Sequence, residues 1–121
     1  MRASRLFCGL AGLAAAALAE SREQFFDTRV APILTRRCLG CHNEQLKNGE
    51  ISFVDRESLL KGGGRGPAIV PGKPGESVLI ESLRHEGGLQ MPPGPKLPKK
   101  EIRVLTEWIR DGAVWGSKLK R

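Results

Sequence analysis

Three stretches of the chain place apolar residues at helical spacing, and polar or glycine- and proline-rich segments separate them. The first stretch is residues 21–36. Its apolar positions are Phe25, Phe26, Val30, Ile33 and Leu34. Ser21 and Gln24 fit a capping box at its start. Because proline cannot donate a backbone hydrogen bond, Pro32 predicts a break near Ala31 and a fresh turn after it.

The second half of the chain predicts two more helices. Residues 74–84 form the first, with an apolar side made of Val78, Leu79, Ile80 and Leu83. Residues 98–111 form the second, with a stripe of Ile102, Leu105, Trp108 and Ile109. We expect Trp108 to contact Phe25 or Phe26. A brief helix that Asp55 caps is predicted between the first helix and residue 62.

Residues 62–75 contain six glycines and three prolines, a composition that excludes a helix. The middle of this segment, Ala68, Ile69 and Val70, is apolar and needs burial. We therefore expect an ordered loop and not a flexible linker.

Residues 38–42, Cys-Leu-Gly-Cys-His, form the pattern typical of c-type haem attachment. On one helical turn, cysteines three apart share a face, so both sulfurs reach the vinyl groups on one edge of a porphyrin. Cys38 and Cys41 are thus predicted to hold one haem c covalently, and His42 to bind the iron. A zinc site completed by His42 and His85 remains an alternative, although zinc sites usually take their second ligand pair from another close cluster. A redox dithiol is a further alternative, but no strand–helix unit precedes Cys38.

Met91 is the predicted second axial ligand. Thioether sulfur is an established partner of histidine in cytochromes c, and Met91 is the only methionine besides Met1. A methionine in a loop is by default a packing residue, but the haem motif upstream favours ligation here. An axial histidine usually has a second hydrogen-bond partner, and we expect a carbonyl near Pro67 to serve His42.

Residues 1–19 have the features of a secretory signal peptide: Arg2 and Arg5, a short apolar run, and a cleavage pattern at residues 17–19. The run is too short to span a bilayer comfortably, so we expect no transmembrane anchor after cleavage. Residues 20–121 would then form one mono-haem domain of 121 − 19 = 102 residues in the periplasm. Such a domain has a thin core of its own, which a large apolar cofactor would enlarge. Cys8 would leave with the signal.

The formal net charge is +7, and loss of Arg2 and Arg5 leaves 18 basic and 13 acidic residues, or +5. The basic residues are dispersed and do not alternate with aromatics, which argues against nucleic-acid binding. A solvated surface explains them most simply. An acidic redox partner that docks through electrostatic attraction is the more specific hypothesis.

With these residues in view, the chain resembles the planctomycete-type cytochrome c domain, a branch of the class I c-type cytochromes, from about Phe25 to Trp115. The segments that carry the resemblance are Phe25-Phe26, Val30 with Pro32-Ile33-Leu34, residues 38–42, residues 59–63, residues 66–72, Met91-Pro92-Pro93, Trp108-Ile109, Gly112-Ala113 and Trp115. The resemblance implies a small all-α class I cytochrome c fold around one haem c, with His42 proximal and Met91 distal. Pro98 departs from the family, which commonly has a serine or threonine cap there.

The haem motif and the resemblance imply one-electron transfer as the function. No substrate site is visible, since the sequence has no paired carboxylates, no nucleophile with a base and no phosphate-binding loop. Three alternatives stay open. The first is a haem domain with an open distal site, acting as a peroxidase or gas sensor. The second is a haem subunit of a larger dehydrogenase complex in place of a monomeric carrier. The third is a zinc-stabilised interaction module.

Overall fold

The structure, a computed structural model, describes residues 19–43, 45–46 and 48–119. Its α-helices are α1 (Arg22–Phe25), α2 (Ala31–Arg37), α3 (Arg56–Lys61), α4 (Val78–Leu83) and α5 (Lys99–Arg110). A π-helical turn, Phe26–Val30, joins α1 to α2, and 3₁₀ turns form at Asn48–Glu50 and Pro74–Glu76. The described residues contain no β-strand, and Gly63 and Gly66 form an isolated bridge. The predicted all-α class is confirmed.

The predicted signal peptide lies outside the described residues except for Ala19. Its cleavage and the domain boundary at residue 20 therefore stay predictions. None of the helices in the described ranges is long and apolar enough to cross a membrane.

The first helical run confirms the predicted cap and corrects the predicted break. Ser21 Oγ accepts the N–H of Gln24 at 3.1 Å, and the Gln24 side chain accepts the N–H of Ser21 at 2.8 Å. The chain does not break near Pro32. Instead the turn before it widens, and the N–H of Ala31 donates to the carbonyl of Phe26, five residues back. Because the proline ring clashes with the carbonyl four residues earlier, a π-helical turn lets the helix continue past it.

Helix α5 packs across this first run through aromatic side chains. The ring centroids of Phe26 and Trp108 are 5.7 Å apart, which confirms the predicted contact. The ring centroid of Trp115, beyond the end of α5, lies 4.2 Å from that of Phe26. The indole N–H of Trp108 donates to the carbonyl of Val114 at 2.9 Å, so the ring is buried with its polar atom satisfied.

The helix predicted over residues 74–84 is divided. Ser77 has an extended backbone (φ −92°, ψ 120°) between the 3₁₀ turn and α4. Its hydroxyl accepts the N–H of Val70 at 2.9 Å and donates to the carbonyl of Lys73 at 3.0 Å. A serine that hydrogen-bonds to nearby backbone in this way competes with the helix.

Residues 62–75 form an ordered loop, as predicted. Ala68 and Ile69 are each 1% exposed, and the N–H of Ala68 donates to the carbonyl of Leu59 at 2.9 Å. The short helix α3 before the loop starts at the predicted cap, where the Asp55 side chain accepts the N–H of Ser58 at 2.8 Å. The loop is therefore anchored to α3 at one end and to α4 at the other.

Candidate haem-binding cleft

The Cys-x-x-Cys-His segment follows α2 without a gap. The N–H of Cys38 donates to the carbonyl of Leu34 at 3.0 Å. The N–H groups of Cys41 and His42 both donate to the carbonyl of Cys38, at 3.2 and 3.0 Å. These bonds close one further helix-like turn, so the two cysteines occur one turn apart, as the predicted attachment requires. Cys38 is buried and Cys41 is exposed.

Cys38, Cys41, His42 and Met91 line one cleft of about 300 Å³. The structure thus brings together all four residues predicted to hold the haem. Most of the other lining residues are apolar, and they include Ile51, Phe53, Ala68, Val78, Leu79, Leu83, Leu89 and Leu97. A few polar groups that converge on an apolar cleft are typical of a cofactor site.

His42 is held by its backbone and by its ring. Its carbonyl accepts the N–H of Phe53 at 2.8 Å, and the two rings lie 5.1 Å apart. Ring atom Nδ1 lies 3.4 Å from the carbonyl oxygen of Ile51. A proton on Nδ1 that donates to this oxygen leaves Nε2 with its lone pair for a metal.

The expectation that a carbonyl near Pro67 serves His42 is wrong. The Pro67 carbonyl accepts the N–H of Val78 at 3.4 Å instead, at the start of α4. Ile51 lies nine residues beyond His42, where the chain returns to pack beside the histidine. The sequence contains no signal for that return, because the intervening residues are polar and irregular.

Met91 is positioned by α4. Its backbone N–H donates to the carbonyl of Ser82 at 3.0 Å, near the end of that helix. The Ser82 hydroxyl in turn donates to the carbonyl of Leu79 at 2.7 Å. The Met91 side chain lines the cleft and is 37% exposed. Its sulfur therefore belongs to a segment at the cleft mouth whose backbone is fixed to a helix.

Burial raises the pKa of the Cys38 thiol to about 12, although the adjacent Arg37 acts against this shift. Cys38 is therefore a neutral thiol at physiological pH. A neutral, buried thiol is protected from oxidation, which proceeds through the thiolate.

An ion pair beside the cleft was not predicted from the sequence. Arg37 lines the cleft and donates from Nε and one Nη to the two oxygens of Glu101, each at 3.1 Å. Arg36 lies 3.8 Å from the same carboxylate. The hydrogen bonds from Arg37 hold the pKa of the Glu101 carboxyl below its usual range, and they raise the pKa of Arg37. The position of Arg37 next to Cys38 was the available signal, but its partner is 64 residues away.

His85, the second histidine of the zinc alternative, is half-buried and is not among the described residues that line the cleft. Its Nε2 is buried without a hydrogen-bond partner among the described residues. Across the same part of the chain, no three His, Cys, Asp or Glu side chains form a group suited to a metal ion. The zinc alternative gains no support.

The cleft fits a haem c in its chemistry. Two thiols one turn apart match two vinyl groups, an imidazole and a thioether are suitable ligands for iron, and the apolar walls suit a porphyrin. Fold and cleft together fit the class predicted from the sequence: a small, haem-binding cytochrome of the c type.

The comparison with protein families makes the assignment specific. Residues 38–95 match the family described as Planctomycete cytochrome C. The predicted resemblance is confirmed. The matched region contains the haem motif, α3, the loop, α4 and Met91. No curated protein and no solved structure matches the chain.

Proposed function

We propose that this protein is an exported, mono-haem c-type cytochrome that carries single electrons in the periplasm. Cys38 and Cys41 would hold the haem through thioether bonds, and His42 and Met91 would occupy the two axial positions of the iron. The proposal rests on the cytochrome family of residues 38–95 and on the residues that meet in the cleft.

One observation carries the proposal. Met91 lies 49 residues beyond His42 in the sequence, and both line the same apolar cleft as Cys38 and Cys41. It is the only thioether in residues 20–121. A packing methionine has no reason to meet a Cys-x-x-Cys-His segment across a cleft, whereas an axial ligand must.

The haem supplies a one-electron couple when it is bound, and the chain sets the conditions for its use. His42 is oriented by Ile51 and Phe53, and the Met91 backbone is fixed to α4. Ligands held in this way need little rearrangement between the two oxidation states. A thioether ligand and apolar walls both favour a higher reduction potential. Exposed Cys41 places the predicted attachment edge near solvent, where a partner can approach.

An open distal site is the second candidate, and the 37% exposure of Met91 is the observation that favours it. If the sulfur leaves the iron, small molecules gain access, and the protein acts as a peroxidase or gas sensor. The decisive difference is whether Met91 binds iron in the oxidised protein.

The test compares Met91→Ala with Leu46→Ala in haem-loaded protein. Leu46 is the matched control, since it is also an exposed large apolar residue (53%) and does not line the cleft. We expect the oxidised wild type and Leu46→Ala to show the near-infrared band of Met–Fe(III) ligation. Met91→Ala should lose this band, and its reduction potential should fall. A wild type without the band would favour the open-site alternative.

The redox partner is proposed to have an acidic surface, because the chain has an excess of basic residues. Electron transfer to such a partner should slow steeply with added salt. A rate that stays flat would contradict electrostatic docking. Pull-down from the periplasm would distinguish an independent carrier from a subunit of a dehydrogenase complex.

A further inference from the structure

Two arginines stand out among the residues that line the cleft. Among the described residues that line the cleft, the side chains with an ionisable nitrogen are those of Arg37, Arg65 and His42. No aspartate or glutamate is among these lining residues. A haem carries two propionate carboxylates in addition to its iron. A cleft that holds one must provide for these negative charges, so the partners of the two arginines are informative.

The guanidinium of Arg37 already has a carboxylate partner. Its guanidinium makes a two-point contact with Glu101, with both distances 3.1 Å, and Glu101 is only 8% exposed. This is the fork geometry in which an arginine binds a carboxylate best. Arg37 therefore serves to connect α2 to α5 through Glu101.

Arg65 is in a different position. One Nη of its guanidinium donates to the carbonyl of Gly87 at 3.2 Å. Among the described residues, no carboxylate lies within ion-pair distance of it. A carbonyl accepts a hydrogen bond but leaves the positive charge uncompensated, and a guanidinium has five N–H donors.

The backbone around Arg65 fixes where this charge lies. Gly63 and Gly66 exchange two backbone hydrogen bonds, at 3.2 and 3.1 Å, and so close a tight turn with Arg65 inside it. The bond to Gly87 then connects the turn to the segment that leads to Met91. Arg65 is exposed, so its charge lies at the mouth of the apolar cleft, where a carboxylate can stay in contact with water.

We propose that Arg65 binds a propionate carboxylate of the haem in this cleft, an inference that rests on the proposed function. The planar guanidinium offers two parallel N–H donors to a carboxylate. In this arrangement Arg65 is a cofactor-binding residue that keeps the propionate ionised and raises the reduction potential of the haem.

Other charged groups belong to the segments around Arg65, and the test must separate them. Carboxylate atoms of Glu50 and Glu81 lie near Gly64 and Gly87 respectively. Arg84, His85 and Glu86 belong to the segment that contains Gly87. These groups shift the pKa of a propionate in the wild type and in an Arg65 variant alike. A difference between the two proteins therefore reports on Arg65.

The experiment measures the reduction potential of haem-loaded protein between pH 4 and pH 9, for wild type, Arg65→Gln and Arg65→Lys. An adjacent cation lowers the pKa of a carboxylic acid by about one to three units. The wild-type potential should therefore be nearly constant above pH 6. In Arg65→Gln the pKa of the propionate rises. The pH at which the reduction potential falls is therefore about one to three units higher than in the wild type. The potential at pH 7 is lower than in the wild type, since loss of a cation favours Fe(III).

Two controls keep the result specific. Arg103→Gln removes an exposed arginine of α5 that does not line the cleft, and it should leave the profile unchanged. His85 is the histidine in the segment that contains Gly87, so the series is repeated in His85→Asn. Asparagine suits this position because it tolerates the left-handed backbone found there, φ 58°.

Coincident profiles for wild type and Arg65→Gln would overturn the inference. So would an Arg65→Lys profile displaced as far as that of Arg65→Gln, because lysine keeps the charge. Failure of the proposed function looks different: the protein would then lack covalent haem or the Met–Fe(III) band. Full haem loading and an intact band with coincident profiles would contradict the role of Arg65 alone.

Discussion

The two sides of the molecule are stabilised in different ways. The first side, here called the helical frame, consists of the run Arg22–Phe25, Phe26–Val30 and Ala31–Arg37 together with α5 and residues 111–118. The second side, the cleft wall, consists of residues 62–68 and 89–97. In the frame, Phe26, Leu34, Leu105 and Ile109 are fully buried against other protein atoms. In the wall, Met91 is 37% exposed, and only Gly62, Ala68 and Leu97 are buried.

Contacts between distant parts of the chain hold the frame together. Arg22 pairs with Asp111 at 2.6 Å, and the Asp27 carboxylate accepts the N–H groups of Ser117 and Lys118 at 2.8 and 2.9 Å. The wall turns apolar side chains toward a cleft, so their burial depends on the group that the cleft is proposed to hold. The difference teaches that changes in the frame affect stability alone, whereas changes in the wall also alter the properties of the site.

The largest effect on stability is expected from Trp108→Ala in the frame. Truncation of a buried tryptophan leaves a cavity beside Phe26 and should lower the free energy of unfolding by about 4 kcal/mol. Trp115→Ala, at a half-buried ring, should cost less. Denaturant unfolding of haem-loaded protein measures both. The visible spectrum and the reduction potential should not change. A large shift in the reduction potential would contradict the view that the frame affects stability and not the site.

The second-largest loss of stability is expected from Gly62→Ala in the wall. Gly62 has a left-handed backbone, φ 73° and ψ −156°, and a Cβ there would overlap the carbonyl of Gly66. We expect a loss of about 3 kcal/mol together with a changed haem spectrum, because the turn that lines the cleft must move. Gly72→Ala is the matched control: it also has a positive φ, 82°, but open space around a Cβ. It should cost about 1 kcal/mol and leave the spectrum unchanged. Equal effects of the two variants would contradict the role assigned to the Gly62–Gly66 contact.

The smallest effect is expected from Glu101→Gln, at the boundary between the two sides. The lost ion pair with half-exposed Arg37 should cost about 1 kcal/mol near pH 7. The pKa of Glu101 is lowered in the folded protein, so its stabilisation is complete above the unfolded pKa and is lost as pH falls through the folded value. The difference in stability between wild type and variant should therefore disappear in acid. Glu107→Gln is the control, because it removes an exposed carboxylate from the same helix and leaves the ion pair with Arg37 in place.

Local signals explain why much of the frame could be predicted. The Ser21–Gln24 capping box and the Asp55 cap each depend on residues three apart, and both form. The helix predicted over residues 98–111 forms as Lys99–Arg110, because its apolar stripe is regular. The break expected at Pro32 does not occur. Proline excludes a regular hydrogen bond but does not dictate whether the chain breaks or widens into the π-helical turn that forms here.

The sequence was enough to predict which residues form the site, but not which groups hold those residues in position. Spacing was enough to identify Cys38, Cys41 and His42 as a group, and the scarcity of methionine identified Met91. The partners of these groups come from distant parts of the chain that fold back beside them, and such contacts leave no pattern in the sequence. The Ile51 carbonyl beside His42, the Glu101 carboxylate beside Arg37 and the bond from Arg65 to Gly87 are all of this kind.

Covalent haem attachment is the central claim, and haem staining of a denaturing gel tests it most directly. The chain is expressed in cells that mature c-type cytochromes, beside a Cys38→Ala/Cys41→Ala variant and the control Cys8→Ala. Only thioether-linked haem survives denaturation, so wild type and Cys8→Ala should stain and the double variant should not. A colourless, stably folded wild type without iron would contradict the account.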